Sequence, residues 1–339
     1  MRQGRATSIF LQGTNPLRGI WIKPRDYLSI RSDQRWTVQN QRVEWHPEAP
    51  PDAELREATI RRLAVLAATQ ESGGPDSFLK LSGTTKTGKT WSLPPVASCP
   101  IIDETCGGCY ALDGWYRTNL AAQYGRVKRL EYLQHLIRIG TISSWVDWIS
   151  ARLNRLTPVE PLPWRVIDTR LRDYLEQRNI AGAVSFFRWH DSGDLFHADY
   201  AKAVVRVCEA TPRVFHWIPT RMGSLVAWLA RDGITFPANV SIQISVHRGG
   251  KHEAAQLDAV REIQNVQPNA RVGVTYVMSG PANRKVDREL FHAHFGPSAN
   301  LCPATVAERS EDRVCNGCRR CWAHASTESP IIYAVHRGN

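Results

Sequence analysis

Residues 183–221 read AVSFFRWHDSGDLFHADYAKAVVRVCEATPRVFHWIPTR. A short run rich in valine and phenylalanine stops at a polar cluster: Arg188, His190, Asp191, Ser192, Gly193 and Asp194. An amphipathic stretch follows, and then a second β-rich run that ends at Thr220 and Arg221. Apolar runs of this length, rich in β-branched and aromatic residues and bounded by turn-formers, predict strands; the stretch between them predicts a helix. Strand, helix and strand in this order form the unit of a parallel sheet.

The alternation continues downstream. GSLVAWLARDG reads as helix, NVSIQISVH as strand, KHEAAQLDAVREIQN as helix and RVGVTYVMS as strand. A last apolar run, PIIYAVH, is placed to close the sheet. Upstream, helices are predicted over about 115–138, in TISSWVDWISARL and in TRLRDYLEQRN. PDAELREATIRRLAVLAATQ is a further amphipathic helix, with Leu55, Ile60, Leu63 and Leu66 on one face. The fold class is therefore α/β, and a complete or partial (β/α) barrel is the simplest architecture; a doubly wound open sheet is the alternative. The chain divides into an N-terminal basic extension and helix (1–75), a barrel-like core (76–295) and a C-terminal cysteine-rich segment with the last strand (296–339). The first fifty residues, with Trp21, Tyr27 and Trp36 among turn-formers, read as a small β-rich cap or an arm.

In such folds the loops at the C-terminal strand ends carry the chemistry. Four of the predicted strands end in polar clusters: the one at 188–194, Thr220 with Arg221, Ser245 with His247 and Arg248, and Tyr276, Met278 and Ser279. Asp191 and Asp194 also have a plainer reading, as caps of the helix that follows.

The 339 residues are 42% hydrophobic and 22% charged, the balance of a folded soluble chain. No apolar run is long enough to span a bilayer, and the N-terminus has no secretory pattern, so no membrane partner and a cytoplasmic location are expected. In a reducing compartment, clustered cysteines read as metal ligands before disulfides. The net charge of +11 favours polyanions, nucleic acid foremost. The nearest basic patches are Arg126, Lys128 and Arg129 on one predicted helix, and Arg319 with Arg320; a solvated surface is the plainer reading. Trp115, Tyr116, Trp189 and Trp217 are candidates to stack on bases, or else core aromatics.

Seven of the eight cysteines form two sets. Cys99, Cys106 and Cys109 lie in CPIIDETCGGCYA, and Cys302, Cys315, Cys318 and Cys321 follow as a set of four. Cys208, among apolar neighbours, is a core residue. The four-cysteine set can close a metal site alone, as a ferredoxin-type cluster loop or a structural zinc site, with His324 as a spare ligand. Three thiolates on a 4Fe-4S cluster leave one iron open to a small molecule; zinc completed by His or water is the alternative there. GTTKTGKT (83–90) matches a phosphate-binding loop, but Pro94 and Pro95 stand where its helix would begin, so it reads as a polar loop.

Three cysteines followed by Tyr-Ala, then strand, Ser-Gly-Asp, helix, strand and Thr-Arg, resemble the layout of radical S-adenosylmethionine (radical SAM) enzymes. More closely, C-x6-C-x2-C-Y-A with RWHDSGD is similar to a phage family called gene product 88. The resemblance spans about Gly83 to Cys321. It departs from the radical SAM pattern in the six-residue gap after Cys99, in Gly108 before the last cysteine, and in Asp194 where a Glu is usual. It implies a barrel of radical SAM (TIM-like) type with one or two 4Fe-4S clusters. It also implies bound SAM, reductively cleaved to a 5′-deoxyadenosyl radical, and an electron donor. The SAM site would draw on Ser192, Gly193, Asp194, Thr220, Ser245 and His247, with His190, Asp191 and Asp194 as catalytic groups.

Three functions stay open at this point. The first is a radical-SAM-like iron–sulfur enzyme that modifies a nucleobase or nucleic acid in the host cytoplasm. The second is a non-catalytic nucleic-acid-binding phage protein stabilised by zinc or a cluster. The third is a zinc-bearing, base-exchanging transglycosylase with Asp191 as acid/base.

Overall fold

The computed structural model describes residues 36–39, 42–45, 79, 81–84, 88–95, 98–99, 120–157, 169–180, 184–247, 250, 252–278, 300–302, 320–323, 325 and 330–334. The amphipathic helix expected over 51–70 lies outside them. Within the N-terminal extension, β1 (Trp36–Gln39) and β2 (Arg42–Trp45) pair as an antiparallel hairpin.

The remaining strands build one eight-stranded sheet. They are β3 (Ser82–Thr84), β4 (Gly88–Trp91), β5 (Ser185–Trp189), β6 (Val214–Thr220), β7 (Val240–His247), β8 (Val272–Met278), β9 (Asn300–Leu301) and β10 (Ile331–Ala334). The order is β3-β4-β5-β6-β7-β8-β10-β9. All pairings except β3–β4 are parallel. The helices are α1 (Leu120–Arg138), α2 (Ile142–Leu153), α3 (Thr169–Gln177), α4 (Ala198–Ala210), α5 (Gly223–Arg231), α6 (Glu253–Val266) and α7 (Arg320–Ala323).

From β4 to β8 each strand lies beside its successor, without the reversal that defines a doubly wound sheet. Right-handed crossovers then carry α4, α5 and α6 to the same face, where α4 packs on α5 and α5 on α6. The winding is that of a barrel, but the sheet is open. The outer edge of β4, which a closed barrel would pair with its last strand, is taken by the antiparallel β3. At the other end β10 pairs with β8 and β9, so the run expected to close the sheet extends it instead.

The two faces separate cleanly by the period-two alternation of strands. Phe187, Trp189, Val214, Ile218, Ile242, Ile244 and Val246 join the helices in one buried core. Trp145 on α2 sits at its centre, 5.6 Å from Trp91, 6.2 Å from Trp189 and 5.5 Å from Tyr200 between ring centroids. The opposite face carries Phe186, Phe215 and Trp217 in a second cluster with Trp322 of α7, Cys302, Cys321 and Ile331. Trp189 and Trp217 are thus core aromatics, not base-stacking platforms; Trp115 and Tyr116 lie outside the described residues.

Two further sequence expectations change. Arg126, Lys128 and Arg129 are all buried. Arg129 Nη1 donates to Ser82 Oγ (2.9 Å) and Ser92 O (3.1 Å), and its guanidinium lies 5.0 Å from the Trp91 ring centre. Burial lowers its pKa to about 10, with Arg126 adding to the effect. This cluster braces the start of the sheet; it is not a solvated polyanion surface. GTTKTGKT spans the β3–β4 hairpin, and an irregular run follows β4 where a phosphate loop needs a helix.

Candidate functional site

The chain that leaves β4 does not turn away at the sheet's C-terminal rim. It runs along the end of β5, and the two segments are laced together. His190 N donates to Trp91 O (2.8 Å), Leu93 N to Ser192 O (2.9 Å) and Asp194 N to Ser98 O (3.0 Å). Ser192 Oγ donates to Leu93 O (2.7 Å), and Ser98 Oγ closes a local turn onto Pro94 O (2.7 Å). The next residue is Cys99, half-buried, which opens the three-cysteine loop.

Gly193 is required in this lacing. Its φ is +81°, and a Cβ there would overlap Ser98 Oγ and stand 2.7 Å from Leu93 Cβ. Gly193→Ala is expected to destabilise the protein by about 2–4 kcal/mol, as left-handed strain adds to overpacking. Urea unfolding of the purified variant checks this, and a loss below about 1 kcal/mol would contradict it.

Asp194 ties in the third strand. Its Oδ1 accepts from Leu195 N (2.7 Å) and Thr220 Oγ1 (2.5 Å), and its Oδ2 from Arg221 N (2.8 Å). Burial pushes its carboxyl upward in pKa, against the pull of these donors and of the Arg221 charge. The Thr220 hydroxyl oxygen accepts in turn from Met222 N (2.9 Å). Gln256 of α6 donates to Arg221 O (2.6 Å) and accepts from Gly223 N (3.1 Å), so the β6 turn is fastened on both sides.

The sequence-derived residues therefore go to different places. Ser192, Gly193, Asp194 and Thr220 come together, with their described side-chain polar atoms engaged inside the fold. His190 turns into the helix-side core at φ +51°, where Nε2 meets Tyr200 Oη at 2.9 Å. Burial, assisted by Arg188, lowers its pKa to about 3, so it is neutral. Asp191 lies on the other side, paired with Arg188 Nη1 at 2.8 Å, and that guanidinium lies 4.7 Å from the Trp217 ring centre. The α4 cap is neither aspartate but His197, whose Nδ1 accepts from Asp199 N (3.1 Å). Arg221, Ser245 and His247 line a cleft at the rim with His252 and Glu253. Ser245 Oγ is 3.2 Å from Thr275 Oγ1.

The second cysteine set meets the opposite face, the one that carries Phe186, Phe215 and Trp217. Cys302 and Cys321 are both buried, and Cys302 N donates to Ile332 O (2.8 Å). Cys321 Sγ lies 3.1 Å from Tyr333 Oη. Burial raises the Tyr333 pKa, and Cys321 and Cys302 raise it further. Two buried thiols, far apart in sequence and gathered beside a hydrogen-bond donor, suit the thiolate chemistry of a cluster or zinc site. Among the described residues no three His, Cys, Asp or Glu side chains gather as a metal site. Cys106, Cys109, Cys315 and Cys318 lie outside those residues. Cys208 is buried in α4.

Sequence reasoning missed Gln243, Tyr333, Arg271 and Trp322, which seat α7 on the sheet. Gln243 Nε2 donates to Cys321 O (3.1 Å), Arg271 Nη2 to Trp322 O (2.6 Å) and the Trp322 indole to Phe187 O (2.9 Å). A signal existed: Ser241, Gln243, Ser245 and His247 alternate with Val240, Ile242, Ile244 and Val246, which marks a half-polar strand face. Among the described residues no helix is long and apolar enough to cross a membrane.

The family model described as Gene product 88 matches residues 60–324. No curated protein and no solved structure matches the chain.

Proposed function

The chain belongs to the phage gene product 88 family, and from that premise we propose that it is an iron–sulfur enzyme with radical-SAM-like chemistry, acting on a nucleobase or nucleic acid. One observation carries the reading. The three-cysteine loop leaves the C-terminal end of the first parallel strand and is bonded, through Ser98 O and Asp194 N, to the end of the second. Reactive groups of parallel α/β sheets sit at this rim.

In this reading Cys99, Cys106 and Cys109 hold a cluster with one open iron, and Cys302, Cys315, Cys318 and Cys321 hold a complete one. The open cluster, when bound and reduced by an electron donor, supplies the electron for reductive cleavage of S-adenosylmethionine. The chain's own residues do the positioning. Ser192, Gly193, Asp194 and Thr220 fix the cysteine loop and the β6 turn; with their side chains engaged inside the fold, they do not fit as direct ligands of the SAM amine. Arg221, Ser245 and His247 line a small cleft at the same rim, and in this reading they would stand beside the cosubstrate. His190, neutral and buried, is a core residue here. The basic net charge suits a nucleic-acid substrate.

Anaerobic purification followed by iron, sulfide and zinc analysis tests the proposal. Iron and sulfide at cluster stoichiometry are expected, and SAM with a strong reductant is expected to yield 5′-deoxyadenosine. Cys106→Ala should abolish that product while the C-terminal site keeps its metal. Stoichiometric zinc without iron would sink the reading in favour of a zinc-stabilised nucleic-acid-binding protein, whose affinity for DNA falls with salt.

A further inference from the structure

Tyr333 stands on β10, just beyond the four-cysteine set, and reaches Cys321 of α7 on the same face of the sheet. Its phenolic oxygen is 3.1 Å from the Cys321 sulfur, and its O–H has Gln243 Oε1 as a second, longer acceptor at 3.5 Å. The Gln243 amide is oriented independently, because its Nε2 donates to the Cys321 carbonyl at 3.1 Å. Arg271 and the Trp322 indole anchor the following residue to the sheet at 2.6 and 2.9 Å. Cys321 is thus held at its carbonyl by one side chain and met at its sulfur by another.

A thiol and a phenol can share a hydrogen in either sense, whereas a metal-bound thiolate offers only lone pairs. Four thiolates around zinc or a 4Fe-4S core leave net negative charge in a buried setting, and donors to sulfur offset it. Resting on the proposed four-cysteine metal site, we infer that Tyr333 is an outer hydrogen-bond donor of that site. Its single hydrogen goes to the Cys321 thiolate in preference to the longer contact with Gln243 Oε1, and Gln243 Nε2 holds the ligand residue by its carbonyl. Tyr333 is a positioning residue and touches no substrate.

The test uses full-length protein in a Cys106→Ala background, so that only the C-terminal site is read. Metal content and the rate of metal loss to excess chelator are compared for that parent and for added Tyr333→Phe, Cys321→Ser or Tyr132→Phe. Phenylalanine keeps the ring that lies 6.4 Å from Trp217, so only the hydroxyl is lost. Tyr333→Phe is expected to bind the parental amount of metal but release it about 10-fold faster. Tyr132→Phe, on α1, should match the parent, and Cys321→Ser should lower the metal content itself. Unchanged content in Cys321→Ser would overturn the metal site and the inference with it. Cys321-dependent metal released from Tyr333→Phe at the parental rate would overturn the inference alone.

Discussion

Asp194→Ala is expected to destabilise the protein by about 3–4 kcal/mol and to release the three-cysteine loop. The carboxylate accepts from Leu195 N, Thr220 Oγ1 and Arg221 N in a fully buried position. Its removal orphans two backbone N–H groups and a hydroxyl, and each buried polar group left unsatisfied costs about 1–3 kcal/mol. The losses do not simply add, because the three donors share one cavity into which water can enter. Asp194→Asn separates charge from shape. It keeps the volume but replaces one accepting oxygen with an N–H₂ that faces donors, so it should recover only part of the loss. Urea midpoints at neutral pH give the ranking: wild type, then Asn, then Ala. The same variants read the link to function, because Asp194 N also holds Ser98 O, one residue before Cys99. With the proposed metal sites, metal at the first would fall with stability, and metal at the set that includes Cys302 and Cys321 would persist. Wild-type stability in Asp194→Ala would refute the clamp.

Much of this fold was legible because the strands obey simple periods. AVSFFRWHD, RVFHWIPT, NVSIQISVH and RVGVTYVMS each contain an observed strand, and the helices between them fall where the amphipathic patterns place them. What was not legible depended on pairing partners. Nothing in SGTTKTGKTW says that β3 will take the outer edge of β4, and that single antiparallel pairing leaves the sheet open. The polar strand ends were legible as a group, but not which way each side chain turns. His190 and Asp191 are neighbours in sequence, yet one enters the helix-side core and the other pairs with Arg188 on the far face. Alternation after Trp189 would have sent His190 to the Arg188 side and Asp191 to the helices; the positive φ at His190 inverts this, and a sequence pattern does not encode it. Arg126, Lys128 and Arg129 misled for a related reason. A basic run reads as solvated until a tryptophan and free carbonyls are known to cover it.

Acidification below about pH 6.5 is expected to destabilise the protein through two buried histidines. His216 Nδ1 accepts from the Trp189 indole N–H at 3.2 Å, and an indole nitrogen only donates. The ring's proton therefore sits on Nε2, 2.8 Å from Thr211 Oγ1, whose own hydrogen goes to Val207 O at 2.7 Å. Adding a proton at Nδ1 would set N–H against N–H in a fully buried position. Burial lowers the His216 pKa to about 3, and burial together with Arg188 does the same for His190. The unfolded chain takes up these protons near pH 6.5 and the folded protein only near pH 3, so the unfolded state binds more protons throughout that window. Stability is full above about pH 6.5 and falls as pH drops toward 3. At pH 4.5 each histidine has cost on the order of 2–3 kcal/mol, and the two together approach the whole stability of an ordinary domain. The loss should appear as a steep decline in the urea midpoint between pH 7 and 4.5. His216→Asn keeps an acceptor for the indole but cannot be protonated. It should be less stable than wild type at pH 7, yet lose only about half as much on acidification. An identical pH slope in wild type and His216→Asn would show that the folded protein protonates this ring without penalty, and the buried relay would then be misassigned.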